Sequence, residues 1–114
     1  LGRGSSYARK HGHYADVVTP ELASLPAGWA RRLKPLRVGR ITALCLEMHD
    51  LVVTKLAAGR LKDLEFVGAL VQRALVDLKT IRSRIRQFPI ERDRPFLRAR
   101  LQTVLDDLNK ATRR

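Results

Sequence analysis

At 114 residues and 12.9 kDa the chain suits one domain, and 45% hydrophobic with 30% charged residues excludes a disordered, collagenous or coiled-fibre protein. The 23 Lys and Arg against 11 Asp and Glu give a net charge of +12, which points to polyanion attraction rather than to any fold. No apolar run approaches the ~18 residues of a membrane span, no signal-peptide core opens the chain, and the single Cys45 has no internal disulfide partner, so no membrane partner is expected and a reducing cytoplasm is the simplest compartment.

Along the chain, the first 46 residues are turn-rich, punctuated by Gly2, Gly4, Gly12, Pro20, Pro26, Gly28, Pro35 and Gly39. Between these breakers lie β-prone pieces at Tyr14–Val18, Leu33–Val38 and Ile41–Leu46, with a helical turn expected over 27–32, entered through Pro26. Trp29 is expected to anchor that loop on the core. From Glu47 the pattern becomes helical, and its period predicts helices at 47–58, 61–74, 78–88 and 95–112. Gly59 stands where a glycine closes a helix, Asp77 suits an N-cap, and Pro95 suits a first turn. Leu97, Leu101, Val104 and Leu108 make an apolar stripe on the last helix, which could also serve a second copy. The expected fold class is α+β, with a β-rich unit over 1–46 and a four-helix bundle over 47–114.

Two charges fall on apolar arcs. At about 100° per residue, Met48, Leu51, Val52 and Leu56 define the arc of the first helix, and Lys55 lies inside it. On the second helix Leu64, Val67, Leu70, Val71 and Ala74 define the arc, with Asp63 inside it. A charge turned inward needs a partner or a polar cavity. A mutual Lys55–Asp63 ion pair satisfies that need, as does an Asp63 bound to first-turn amides. The functional alternative is a pocket in which Lys55 faces a phosphate, Asp63 orients it, and Arg60 and Lys62 reinforce the field.

Arginine is densest between Ile81 and Arg100, where Arg82, Arg84, Arg86, Arg92, Arg94, Arg98 and Arg100 oppose Glu91 and Asp93. The guanidinium fork suits phosphate, so Arg82, Arg84, Arg86, Arg92 and Arg94 are the candidate nucleic-acid contacts of a non-enzymatic RNA- or DNA-binding module. The simpler reading is a solvated helix face, because aromatic residues amount to only 5% and do not interleave the arginines. His11 and His13 are spaced for a metal site that nothing nearby completes, so no metal ligand set is expected. Cys45, in an apolar run, reads as inert core.

The run His49-Asp50-Leu51-Val52-Val53-Thr54-Lys55-Leu56-Ala57-Ala58-Gly59-Arg60-Leu61-Lys62-Asp63 resembles the helical half of nucleotidyltransferase-like proteins. Abortive-infection-type toxins share a related Lys…Arg…Asp signature. An uncharacterised bacterial family within that superfamily is also similar around Tyr14-Ala15-Asp16, Leu25-Pro26-Ala27-Gly28-Trp29 and Cys45-Leu46-Glu47, so the resemblance covers about residues 11–88. It implies a nucleotide-site role for Lys55 and Asp63, supported by Arg60 and Lys62, and a setting related to toxin–antitoxin systems. The superfamily holds two metal ions on an Asp-x-Asp/Glu strand that follows a Gly-Ser turn. Here Gly4-Ser5 precedes Asp16-Val17-Val18, which puts Val18 in place of the second carboxylate. The resemblance therefore implies magnesium and a nucleoside triphosphate for the full-length family only. This chain is expected to be its C-terminal part, with the metal motif upstream of Leu1, and to bind nucleotide or nucleic acid at most.

Overall fold

A computed structural model describes residues 24–112. Leu25 and Pro26 are buried, and the Ala27 amide donates to the Gln87 carbonyl at 2.9 Å, which ties the loop to the bundle. Gly28, at φ 84°, turns the chain into a 3-10 helix over Trp29–Arg32. Trp29 is only partly buried, so the anchoring expected of it falls to Leu25 and Pro26.

Strands β1 (Lys34–Val38) and β2 (Ile41–Cys45) form an antiparallel hairpin with Leu36 opposite Ala43 and Val38 opposite Ile41. Its two-residue turn has Gly39 at φ 60°, while Arg40 keeps a negative φ, the pattern of a type II′ turn. The hairpin projects from the bundle. Every residue of β1 is exposed, and Leu44 on β2 is open to solvent. Cys45 is half-buried rather than core.

Four α-helices follow: α1 (Met48–Ala58), α2 (Leu61–Gln72), α3 (Leu78–Arg86) and α4 (Arg94–Thr112). Each boundary has a local cause. Glu47 caps α1 by accepting the His49 and Asp50 amides. Gly59, at φ 68°, closes α1 and donates its amide to the Lys55 carbonyl at 2.9 Å. Asp77 caps α3 by accepting from the Thr80 amide and hydroxyl at 2.9 and 2.7 Å. The second helix ends two residues sooner than its apolar period predicts. Ala74 enters the left-handed region at φ 56°, and the Leu75 amide reaches back to the Leu70 carbonyl at 3.0 Å, which terminates the helix.

The core consists of Val52, Val53 and Leu56 of α1, Val67 and Leu70 of α2, Ile81 and Ile85 of α3, Phe88, and Leu97, Leu101 and Val104 of α4. Helices α1 and α4 each pack against all three others. The buried arc of α1 is rotated from the expected one: Val53 is inside, whereas Met48 is 39% exposed. Lys55 consequently sits on the flank of α1 rather than in its interior. No helix among the described residues is long and apolar enough to cross a membrane.

Candidate nucleotide site

The corner between α1 and α2 gathers Lys55, Arg60, Lys62 and Asp63. Asp63 lies at the third position of α2 and is 2% exposed. From there its carboxylate reaches back over the helix start, where the Arg60 amide donates to Oδ2 at 3.2 Å. The Arg60 side chain closes the same turn, with Nε donating to Oδ2 at 2.7 Å and Nη2 to Oδ1 at 3.3 Å. Burial pushes the Asp63 carboxyl pKa up, but the Arg60 hydrogen bonds and charge outweigh it and hold the group below its ordinary range. Lys55 Nζ stands 3.8 Å from Asp63 Oδ1, an ion pair too long for a hydrogen bond. The ammonium also lies 5.7 Å from the Phe66 ring centroid, within cation–π range. Lys62 is exposed. The pairing expected of Lys55 and Asp63 is thus present, and it takes both forms anticipated, an ion pair and a bound helix start. Two cations, Lys55 and Arg60, thus meet at one buried carboxylate, and the exposed Lys62 follows Arg60 on the same turn.

A further arginine reaches this corner. Arg100 of α4 donates through Nη1 to the Leu56 and Ala57 carbonyls at 2.8 and 2.9 Å, which satisfies acceptors at the end of α1. Its guanidinium lies so close to Gly59 that a Cβ there would stand 2.6 Å from Nη1. Glycine is therefore favoured at position 59 by its φ, and a Cβ there would have to displace the Arg100 guanidinium. Nothing local in the sequence pairs Arg100 with a helix end 43 residues earlier.

The opposite end of α1 carries a second ionic cluster that sequence reasoning missed. Asp50 is fully buried. Arg32, from the 3-10 helix, donates through Nε to Oδ2 at 2.9 Å and through Nη2 to Oδ1 at 2.8 Å. Arg84, from α3, places Nη1 2.8 Å from Asp50 Oδ1 and 2.6 Å from Glu47 Oε1. His49 completes the group: its Nδ1 lies 2.6 Å from Glu47 Oε2, and its Nε2 accepts the Asp77 amide at 2.9 Å. Because Nε2 accepts, the ring proton sits on Nδ1 and is donated to Glu47. Partial burial pushes the Glu47 carboxyl up, but the hydrogen bonds from His49 and Arg84 and the charge of Arg84 bring it down to about 2. Burial likewise lowers the Arg84 guanidinium, yet Glu47 and Asp50 raise it above its ordinary value. Every buried side-chain polar atom among the described residues has a hydrogen-bond partner.

This cluster corrects the expected arginine surface. Arg84 was expected on the exposed side of α3; its side chain is 15% exposed and bound to two carboxylates. Arg94 is also engaged, donating through Nε to the Phe88 carbonyl at 2.7 Å with Nη1 3.6 Å from Glu91. Arg82, Arg86 and Arg92 are exposed as expected. Among the described residues no three His, Cys, Asp or Glu side chains gather to hold a metal ion. His11, His13, the Tyr14–Val18 segment and Asp16 lie outside the described residues.

No curated protein and no solved structure matches the chain. A family model described as a nucleotidyltransferase of unknown function (DUF6036) matches residues 6–103, which takes in the hairpin, both ionic clusters and most of the bundle. On that match the chain belongs to this nucleotidyltransferase family.

Proposed function

We propose that the α1–α2 corner binds the phosphates of a nucleoside triphosphate, with Lys55 as the principal contact. Arg60 and Lys62 supply the surrounding field, and Asp63 holds Arg60 and Lys55 in place. The observation that carries this reading is that Lys55 and Arg60, from the facing ends of two successive helices, converge on one buried carboxylate, with Lys62 exposed beside them in the sequence. Ammonium and guanidinium groups held at one corner are suited to charge-assisted hydrogen bonds with phosphate. Family membership supports the ligand class. With Val18 in place of a second carboxylate, the chain binds nucleotide without transferring it, as a partial relative of the abortive-infection-type enzymes.

The test is equilibrium binding of a fluorescent ATP analogue, with the other triphosphates as competitors. Loss of one charge-assisted phosphate contact is worth about 1.5–3 kcal/mol, so Lys55→Gln weakens binding by about 10- to 100-fold. Arg37→Gln, on the remote hairpin, leaves it unchanged. Unaltered binding by Lys55→Gln, or none by the wild type at millimolar nucleotide, rejects the site. Magnesium-dependent transfer of label to tRNA or protein that disappears in Asp16→Asn would show that the chain is catalytic after all.

A further inference from the structure

The segment from Arg73 to Arg100 holds nine basic and three acidic side chains, and the structure divides the basic ones into two groups. Arg84, Arg94 and Arg100 are bound to carboxylates or carbonyls of the chain itself. Lys79, Arg82 and Arg86 are not. All three are exposed, and among the described residues none of them makes an ion pair or a side-chain hydrogen bond. They also share a position in the helix. At about 100° per residue, Lys79, Arg82 and Arg86 fall within an arc of about 60° on α3. Ile81 and Ile85, whose mean direction lies about 110° round the helix from theirs, are fully buried. The result is a straight cationic ridge on a rigid helix. Its base is fixed by the core and by the Asp77 cap, whose carboxylate is taken up by Thr80.

We infer that this ridge is a docking surface for the phosphate backbone of a double-helical nucleic acid. Seven residues at 1.5 Å each carry the ridge about 10 Å, and a duplex strand advances one phosphate per about 3.4 Å. With steps of about 4.5 and 6 Å along the helix axis, Lys79, Arg82 and Arg86 are spaced for long side chains to reach successive phosphates of one strand. The exposed aromatic ring of Phe96 lies on another helix, so among the described residues α3 itself carries no exposed ring on which unpaired bases could stack. Its contacts are to phosphate and carry no sequence information. The inference does not rest on the nucleotide corner, which uses other residues on other helices.

A salt titration decides it, reading fluorescence anisotropy of the full chain on a labelled 20-base-pair duplex. DNA and RNA duplexes, the matching single strand and polyglutamate are run in parallel. The triple variant Lys79→Gln/Arg82→Gln/Arg86→Gln is compared with Lys34→Gln/Arg37→Gln/Arg40→Gln, which removes the same charge from the exposed hairpin. Circular dichroism and a thermal melt confirm that both variants are folded. Each phosphate contact contributes about 0.9 to the log–log salt slope, so losing three flattens it by about 2.7. Between 50 and 200 mM salt the wild type should then lose about 40-fold more affinity than the ridge variant. The hairpin variant should keep a slope close to that of the wild type. Equal flattening in the two variants would mean that net charge alone drives binding, and would overturn the ridge. So would the absence of duplex binding at 50 mM salt, equal affinity for the single strand, or equal affinity for polyglutamate.

Discussion

The two ends of α1 each bury one aspartate among cations, yet they are built in opposite ways. Asp50 is held by Arg32 and Arg84, which arrive from elements 18 residues before it and 34 residues after it. Asp63 is held by Arg60, three residues away on the same helical turn, with Lys55 on the facing flank of α1. The Asp50 cluster is closed, because its arginines are 23% and 15% exposed and spend their donors on the chain itself. The Asp63 corner is open, because Arg60 is 61% exposed and Lys62 faces solvent. An arrangement whose charges are satisfied inside the fold serves to join elements. One whose cations reach the surface can still take a ligand. That contrast separates the two clusters more clearly than burial does, since both carboxylates are almost fully inaccessible.

The largest effect should come from breaking the closed cluster. Asp50→Ala leaves two guanidinium groups in partly buried positions without their carboxylate, a loss that typically costs about 3–5 kcal/mol. Urea denaturation should show that loss, or no cooperative transition at all. A cost below about 1 kcal/mol would mean that water replaces the carboxylate freely and that the cluster is not closed. The next effect is on pH dependence. The Glu47 carboxyl has its pKa lowered from 4.5 to about 2 in the folded chain, so its contribution is fully present above the unfolded value. It is lost as pH falls from about 4.5 through 2, and amounts to up to about 3 kcal/mol. Thermal melts over that range should fall steeply for the wild type and less steeply for Glu47→Gln. Equal slopes would remove Glu47 from the account.

The difference between the clusters also explains what could be read in advance. Periodicity located α1 to α4 within two residues, and Gly59, Asp77 and Pro95 marked their ends, because capping is local chemistry. Asp63 was legible for the same reason: a carboxylate on an apolar arc near a helix start has few ways to be satisfied, and its partner is three residues away. Asp50 sits in the same stretch of sequence but gave no such signal. Its partners depend on how the 3-10 helix and α3 pack against α1, a tertiary fact with no sequence period. Arg84 was misplaced for that reason, since a count of arginines cannot tell which guanidinium turns inward. Met48 was placed on the wrong side because the buried arc of α1 is set by contact with three helices at once. The Glu47–His49–Asp50 run was visible as part of the family resemblance, and that was the only sign of the cluster it builds.

A smaller loss is expected at Asp63, despite burial close to that of Asp50. Asp63→Asn keeps an acceptor for the Arg60 amide and releases Arg60, which is already largely in water. The cost should resemble that of weakening a helix cap, about 1 kcal/mol. What a substitution leaves behind decides its cost more than what it removes. If Asp63→Asn cost as much as Asp50→Ala in the same denaturant series, the two clusters would be energetically alike and the distinction between closed and open would fail.

The smallest effect on stability should fall on Lys55, and it gives the sharpest separation of the two roles. Its ammonium is 3.8 Å from Asp63 and its side chain is 21% exposed, so the pair contributes no more than a surface-type ion pair, about 1 kcal/mol or less. Arg60 continues to satisfy the carboxylate when Lys55 is replaced. Lys55→Gln should therefore keep its urea midpoint near that of the wild type while its affinity for the triphosphate analogue falls at least tenfold. The opposite assignment makes the opposite prediction. If Lys55 were a brace like Arg84, Lys55→Gln would lose stability and affinity together, in the proportion set by the unfolded fraction. Measuring both on one preparation tells the cases apart, because a brace can reduce binding only by reducing the folded population. Addition of nucleotide should also raise the melting temperature of the wild type, through preferential binding to the folded state, and leave that of Lys55→Gln nearly unmoved.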